Sequence, residues 1–418
     1  VAVVVFVVAM VAIMSEKVHR ALVAIVGAMI LLVVHVVTFD QAMSHVDFNT
    51  LGVLLGMMLF VAVVKLSGIF EYLAIKCARL AKGNPWHVMV LFVCLTAVLS
   101  ALLDNVTTVL LIGPMTITVC RLLDIDAVPF FLAEIMASNI GGTATLIGDP
   151  PNIMIGSAAG YSFVDFVVYD TPAALLSLAV MLALFYLLFG RKLHVDDAHK
   201  DALAGLDERE QIKNPILLRQ SVVVIVLVVV GFMAHGSLGI ESCVVALTAA
   251  GVLMLISGER IEEALAHVEW TTLVFFAGLF IIVGALSEVG VIGMLAQALI
   301  DVTGGSTFVA MLVLLFASAI ISSFLDNIPF VATMIPILLS MEATGMDVAP
   351  LWWAVSLGAC LGGNGTLIGA SANVVMSDIS RKNGHVITFA HFFKVGFPTM
   401  LATVAVSAIY LIVRFPPM

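Results

Sequence analysis

The 418-residue chain is poor in charge: Asp, Glu, Lys and Arg make up 11% of it, against 62% hydrophobic residues, and its mean hydropathy is +1.18. A soluble domain carries about a quarter charged residues. A core this large could not be wrapped in a solvated surface, so the chain is read as an integral membrane protein. Basic residues are the scarcer sign, 18 Lys plus Arg against 28 Asp plus Glu. With no polycationic face to release counterions from phosphates, nucleic-acid binding is excluded. Cysteine is thin as well: Cys77, Cys94, Cys120, Cys243 and Cys360 are scattered, with no CxxC and no His/Cys cluster at ligand spacing. They read as core thiols, with no metal site, disulfide or cofactor expected. HExxH and nucleophile–base pairs are missing, which argues against an intramembrane enzyme. With no P-loop, work must come from an ion gradient or an accessory ATPase subunit. A basic leader is also missing ahead of the apolar Val1 to Met14 stretch, which is therefore expected to be a first span rather than a signal peptide.

What the chain does have is apolar length. A helix needs about 20 apolar residues to cross a bilayer, and such stretches fall near 1–14, 20–38, 50–70, 88–103, 106–122, 127–160, 171–190, 215–234, 241–257, 271–290, 307–324, 328–342, 350–380 and 395–413. Lipid cannot satisfy an open backbone, and no β-barrel alternation is visible, so these stretches must be helices. The one long polar segment, 191–214, reads as a linker between halves 1–190 and 215–418.

The halves repeat each other. His45-Val46-Asp47-Phe48-Asn49-Thr50-Leu51 returns as His267-Val268-Glu269-Trp270-Thr271-Thr272-Leu273, an offset of 267 − 45 = 222. Leu103-Asp104-Asn105 returns as Leu325-Asp326-Asn327 and Pro114 as Pro336 at the same offset. Gly141-Gly142-Thr143-Ala144-Thr145-Leu146-Ile147-Gly148 returns as Gly362-Gly363-Asn364-Gly365-Thr366-Leu367-Ile368-Gly369, at 362 − 141 = 221. Each copy crosses an odd number of times, so the copies must be inverted. A cytoplasmic linker puts nearly every Lys and Arg on the inner face, among them Arg20, Arg79, Lys82, Lys200 and Arg260, and both termini outside. Asp40, Asp47, Asp165 and Asp170 then fall in outer loops.

Inverted repeats with Gly/Pro-interrupted helices point to the central site of a secondary transporter. Two kinds of break carry polar side chains. Asp104-Asn105 with Thr107 and Thr108, matched by Asp326-Asn327, lies between limbs of roughly 24 Å, short for full spans. This suits a re-entrant hairpin whose tip offers a carboxylate and an amide to Na⁺ or H⁺. A plain helix cap is the alternative, disfavoured by the repetition and by the lack of Lys or Arg beside either tip in the sequence. The second break is Gly141 to Asn152, with Gly142, Thr143, Thr145, Asp149, Pro150 and Pro151, matched by Gly362 to Asn373, with Gly363, Asn364, Thr366 and Ser371. Paired glycines let the backbone leave helical geometry, prolines keep it out, and the half-helix ends face a substrate. Asp149-Pro150-Pro151 is replaced by Ala370-Ser371-Ala372, so the site is asymmetric. One half can hold a coupling ion beside a substrate, which makes Asp149 a third carboxylate candidate. Glu134 is a lesser one, and His45 and His267 read as interfacial.

At these breaks the chain resembles the P-protein (pink-eyed dilution) permease branch of the ArsB/NhaD group, within the ion transporter superfamily. The resemblance implies a fold like the divalent-anion/Na⁺ symporters: all-α, two inverted repeats of five spans plus one re-entrant hairpin, and interrupted helices at the membrane midplane. It implies transport elements at about 86–190 and 307–418 moving elevator-fashion against a scaffold at about 1–85 and 215–306. Where those symporters carry Ser-Asn-Thr at the tip, this chain carries Asp104-Asn105-Val106 and Asp326-Asn327-Ile328. A bare tip carboxylate would repel a citrate-like anion. The expected function is therefore proton- or sodium-coupled efflux of arsenite or antimonite, or Na⁺/H⁺ antiport. A carboxylate or other anion transporter is the alternative, and an anion channel is disfavoured by the hairpins. The bilayer of the cell's inner membrane, a small ion or oxyanion, and a second copy of the chain are the partners such a transporter would take.

Overall fold

The computed structural model describes residues 1–15, 17–195, 205, 207–258 and 261–417. The first half holds α1 Ala2–Met14, α2 Arg20–Val33, α3 Phe39–Ser44, α4 Phe48–Lys65, α5 Ile69–Leu80, α6 Pro85–Leu102, α7 Asn105–Leu123, α8 Val128–Thr143, α9 Pro150–Ala159 and α10 Phe163–Phe185. The second holds α11 Pro215–Leu238, α12 Ser242–Ser257, α13 Ile261–Ala266, α14 Trp270–Glu288, α15 Val291–Val302, α16 Thr307–Phe324, α17 Asn327–Ala343, α18 Ala349–Gly362, α19 Ser371–Lys382 and α20 Phe389–Arg414. Each helix of the first half is answered by the helix ten places later. α4 and α14 start 270 − 48 = 222 residues apart, and α9 and α19 start 371 − 150 = 221 apart.

Helix ends follow local chemistry. Asn84 and Asn214 accept from the first free amides of α6 and α11, and each is followed by Pro at the first helical position, where its missing N–H costs nothing. Gly68 and Gly290, which occupy matching places, both take a left-handed φ, +81° and +77°. That turn ends α4 and α14 and starts a short amphipathic helix in each half. These helices, α5 and α15, were not expected from apolar length alone. In α5, Phe70, Ala74, Ile75 and Ala78 are buried while Lys76 and Arg79 are exposed, the pattern of a helix lying along a surface.

Eight described helices are long and apolar enough to cross a membrane: α4, α6, α7, α10 with its continuation to Gly190, α11, α14, α16 and α20. The hairpin limbs α6 and α7 have 18 and 19 residues, so they are longer than expected. Their re-entrance rests on what the tip meets, not on limb length. α10 starts at Phe163 rather than near 171, which corrects the placement of two acids. Asp165 closes a capping box with Ser162, and Asp170 lies inside the helix, fully buried, instead of in an outer loop. Of the cations assigned to the inner face, Lys200 and Arg260 lie outside the described residues, as do 196–204 and 206 of the linker.

The halves pack by exchange. α2 lies on α14 and α4 on α12; α7 lies on α19 and α9 on α17; α8 meets α18 and α10 meets α20. Each of these cross-pairs has its mirror and the last two pairs are their own mirrors, as a pseudo-two-fold axis between inverted repeats requires. The fold is thus an all-α polytopic bundle of two inverted repeats. Each repeat has five spans and one hairpin, and both interrupted helices lie at the centre.

Candidate functional site

Breaking a helix inside a membrane leaves carbonyls without donors, each costly if unpaired. Both halves solve this with the same asparagine. Asn152, in the first turn of α9, turns its Nδ2 back to the carbonyls of Gly142, Thr143 and Thr145 at 3.4, 3.1 and 3.0 Å. Asn373, in the first turn of α19, does so to Gly363 and Thr366 at 2.7 and 2.9 Å. Each break is also fastened to the hairpin of its own half. Ser100 Oγ donates to Ser138 O and Thr145 Oγ1 to Ala101 O, at 2.6 and 2.5 Å. The second half repeats this with Ser322 to Ala359 O at 2.7 Å and Thr366 to Ser323 O. The glycines serve the same closeness. A Cβ at Gly141 would lie 2.6 Å from Ala97 Cα, and one at Gly362 would lie 2.8 Å from Ala319 Cα, both backbone atoms of the hairpin's first limb.

This arrangement carries both hairpin tips to one carboxylate. Asp149, 1% exposed, precedes α9 in the capping position, yet its side chain caps nothing. Instead it accepts from Asn327 Nδ2 at 3.1 and 3.3 Å and from Asn105 Nδ2 at 3.5 Å. Asn105 also donates to Asn139 Oδ1 at 3.3 Å, and Asn139 Nδ2 donates to Asn364 and Asn373 Oδ1 at 2.9 and 3.0 Å. Cys360, which answers Asn139 in the other half, touches Asn152 Oδ1 at 3.5 Å and the Asp149 carboxylate. Asn364 Nδ2 is buried there without a partner. The result is a buried cluster of amides around one carboxylate, built from both repeats.

The tip acids themselves stand apart from this centre. Asp104 caps α7, accepting from Thr107 N at 2.7 Å and Thr107 Oγ1 at 2.5 Å, while Thr108 Oγ1 donates to Asp104 O. Asp326 caps nothing. Its Oδ2 takes Arg20 Nη1 at 2.8 Å, and its Oδ1 is buried without a partner. Arg20 also donates to Ser371 Oγ at 2.8 Å and lies over the Phe275 ring at 5.2 Å. This corrects the expectation that no cation stands beside a tip, because α2 delivers one from 306 residues away. A cavity of about 320 Å³ opens here, lined by Met14, His19, Arg20, Asp326 and Ser371 among others.

Thr143 donates to Asn139 O, so the threonine hydroxyls of the breaks and the first tip go largely to backbone and caps. Glu134 is buried against Thr116 at 2.5 Å, off the central cluster. His45 pairs with Glu288 at 3.0 Å and His267 with Glu263 O at 2.9 Å. Sequence reasoning missed Asn139, Ser356, Asp170, Cys360 and Arg20. Asn139 and Cys360 occupy matching places two residues before the paired glycines, a signal the repeat offset could have exposed. Arg20 left none.

The citrate transporter (CitMHS) family matches residues 10–358. The chain is 46% identical to an uncharacterized transporter of Mycobacterium tuberculosis, covering 99% of this chain and 98% of that one. It is 34% identical to the human P protein over 96% of this chain and 58% of that protein. Among solved structures, the YdaH transporter of Alcanivorax borkumensis matches with a TM-score of 0.62 at 15% identity, covering 88% of this chain and 86% of that one. At that identity the likeness speaks for the fold alone. The chain belongs to the citrate transporter (CitMHS) family of membrane transporters and has the P protein among its relatives.

Proposed function

We propose that this protein is a cation-coupled secondary transporter of small carboxylate anions of the citrate kind, with Asp149 and the amides of Asn105 and Asn327 as the coupling site. The observation that carries the reading is Asp149. A carboxylate removed from water needs a counter-charge or a proton, yet its hydrogen-bond partners are amides and a thiol, and the charges that bear on it are the acids Asp104 and Asp326. A proton or Na⁺ supplies what the amides cannot. Amides from both hairpin tips make its binding sensitive to the position of each repeat, as coupling demands.

The substrate class follows from Arg20 and from the family. Efflux of neutral arsenite or antimonite drew its support from bare tip carboxylates, and Arg20 compensates one of them. Together with Ser371 it offers a cation and a hydroxyl at the mouth of a cavity. Na⁺/H⁺ antiport is the second reading, favoured by the same uncompensated Asp149. The motion we assign is elevator-like, with 86–190 and 307–418 moving against 1–85 and 215–306. The bonds fastening each hairpin to its own break support it. The linker is cytoplasmic and both termini face outward.

The test is uptake in proteoliposomes with pH and Na⁺ gradients imposed separately, offering citrate, smaller dicarboxylates, arsenite and labelled Na⁺ in turn. The expected result is gradient-driven uptake of a carboxylate that Asp149→Asn abolishes. Na⁺ flux against protons without any carboxylate selects the second reading. Currents far above transporter turnover would overturn both.

A further inference from the structure

We infer that Asp170 is a second proton-holding carboxyl group of this transporter, its proton tied through Ser356 to the first helix break. The inference rests on the cation-coupled reading above and assigns a proton to a residue outside the Asp149 cluster.

The argument is a count of hydrogens. Ser356 Oγ, on α18, stands 2.5 Å from Asp170 Oδ2 and 2.7 Å from Asn152 Oδ1. Asn152 cannot be turned to offer its NH₂ to the serine, because that group already faces three backbone carbonyls, against which an oxygen would be repelled. Its Oδ1 is therefore an acceptor. A serine hydroxyl has one hydrogen. If Asp170 were ionised, one hydrogen would have to serve two acceptors, leaving two oxygens facing each other at hydrogen-bond distance in a site where all three residues are fully buried. With a proton on Asp170 the chain closes: its O–H donates to Ser356 Oγ, and Ser356 donates to Asn152 Oδ1.

Among the described residues, no cation stands where it could hold Asp170 ionised. α10 packs against α8, α11, α18 and α20. The titratable groups on those faces are Glu134, engaged with Thr116; His235, bonded to Phe163 N at the start of α10, two turns before Asp170; Cys360; and Tyr410. Arg414 lies over the ring of Tyr169 at 4.8 Å, not in an ion pair with Asp170. The second half supplies the control. Asn373, the twin of Asn152, has its Oδ1 held by Asn139 Nδ2 at 3.0 Å, an amide that cannot titrate. Among the described residues, only the closing asparagine of the break that carries Asp149 is tied to an acid. Loss of the Asp170 proton would draw the Ser356 hydrogen away from Asn152, the side chain that holds that break closed.

The experiment uses the full-length protein. Asp170→Asn keeps a donor toward Ser356 but cannot release a proton. Infrared difference spectra at neutral pH should show the carbonyl stretch of a protonated carboxyl group in the parent, diminished in this variant. In proteoliposomes, uptake driven by a pH gradient should fall at least tenfold, while exchange of labelled for unlabelled citrate persists. Ser356→Ala is the second variant and should slow gradient-driven uptake in the same way. An unchanged carboxyl band, or gradient-driven uptake in Asp170→Asn equal to the parent, overturns the inference. If the parent shows no cation-driven transport, the reading of function fails, and the infrared band still decides for or against the Asp170 proton.

Discussion

Arg20 and Asp326 offer the sharpest test of substrate class, because the two substitutions should act in opposite directions. At 2.8 Å and an effective dielectric of about 20, their attraction is 332/(20 × 2.8), or about 6 kcal/mol. The side chains are 28% and 14% exposed, so hydration returns much of that, leaving a net of about 1–3 kcal/mol. A carboxylate substrate must compete with Asp326 for the guanidinium. Asp326→Asn removes the competitor, while Ser371 and Phe275 still hold Arg20 in place. It should therefore tighten citrate binding by about 5- to 150-fold. Arg20→Gln should weaken binding over the same range, and the double variant should resemble Arg20→Gln alone. Isothermal titration of the purified protein with citrate, with arsenite as the neutral control, reads both signs. Equal weakening by both substitutions would mean the pair is structural and would refute the reasoning. So would indifference of citrate to either.

Gly141→Ala and Gly362→Ala force a methyl group onto the backbone of the hairpin and should each destabilise by about 1–3 kcal/mol, seen as a lower unfolding temperature in detergent. Gly293→Ala, whose Cβ meets nothing within 4 Å, should be neutral or slightly stabilising. Asp104→Asn preserves a good helix cap, whereas Asp104→Ala should cost about 1 kcal/mol. The pair separates capping from charge: if Asp104 acts in coupling, Asn loses gradient-driven uptake at nearly unchanged stability. Asn152→Asp sets an acceptor against three carbonyls and should cost about 1–3 kcal/mol, while the matching change at Asn373 should cost a similar amount. Thermal melts of both variants check this.

How far the sequence could be read depended on whether a feature was local. Tips, breaks and inverted duplication are written in short motifs repeated at one offset, so Asp104, Asp149, Asp326 and both glycine pairs could be singled out. Asn152 and Asn373 were found by the same repetition, though their work turned out to be paying the hydrogen-bond debt of the broken helices. Arg20 could not be found, since its partner is 306 residues away and nothing near it in sequence resembles a site. Asp170 was misplaced because apolar length marks where a span is greasiest and misses a polar first turn capped by Ser162. α5 and α15 escaped for a different reason: at 12 residues each they are too short to mark a span, and only the glycine turns before them separate them from the preceding spans.

The two halves agree wherever the task is geometry and, the tip acids Asp104 and Asp326 apart, differ where it is charge. The serine and threonine bonds that pin each hairpin, the glycines that allow the approach, and the asparagines that close the breaks all occur in duplicate. Apart from the tip acids Asp104 and Asp326, the charged groups of the site occur once. Asp149 faces Ala370 across the repeat, Arg20 answers to Ser242, and the acid behind Ser356 has no counterpart behind Asn373. Inverted access needs two equivalent frames, because the same loop must close from either side. Coupling needs the ion held at a defined place. Two copies of Asp149 would set two buried carboxylates beside each other with only amides between them. A duplicated frame holding a single set of charges is therefore what a coupled carrier requires, and placing an acid at Ala370 should impair the protein more than removing a hydroxyl from either frame.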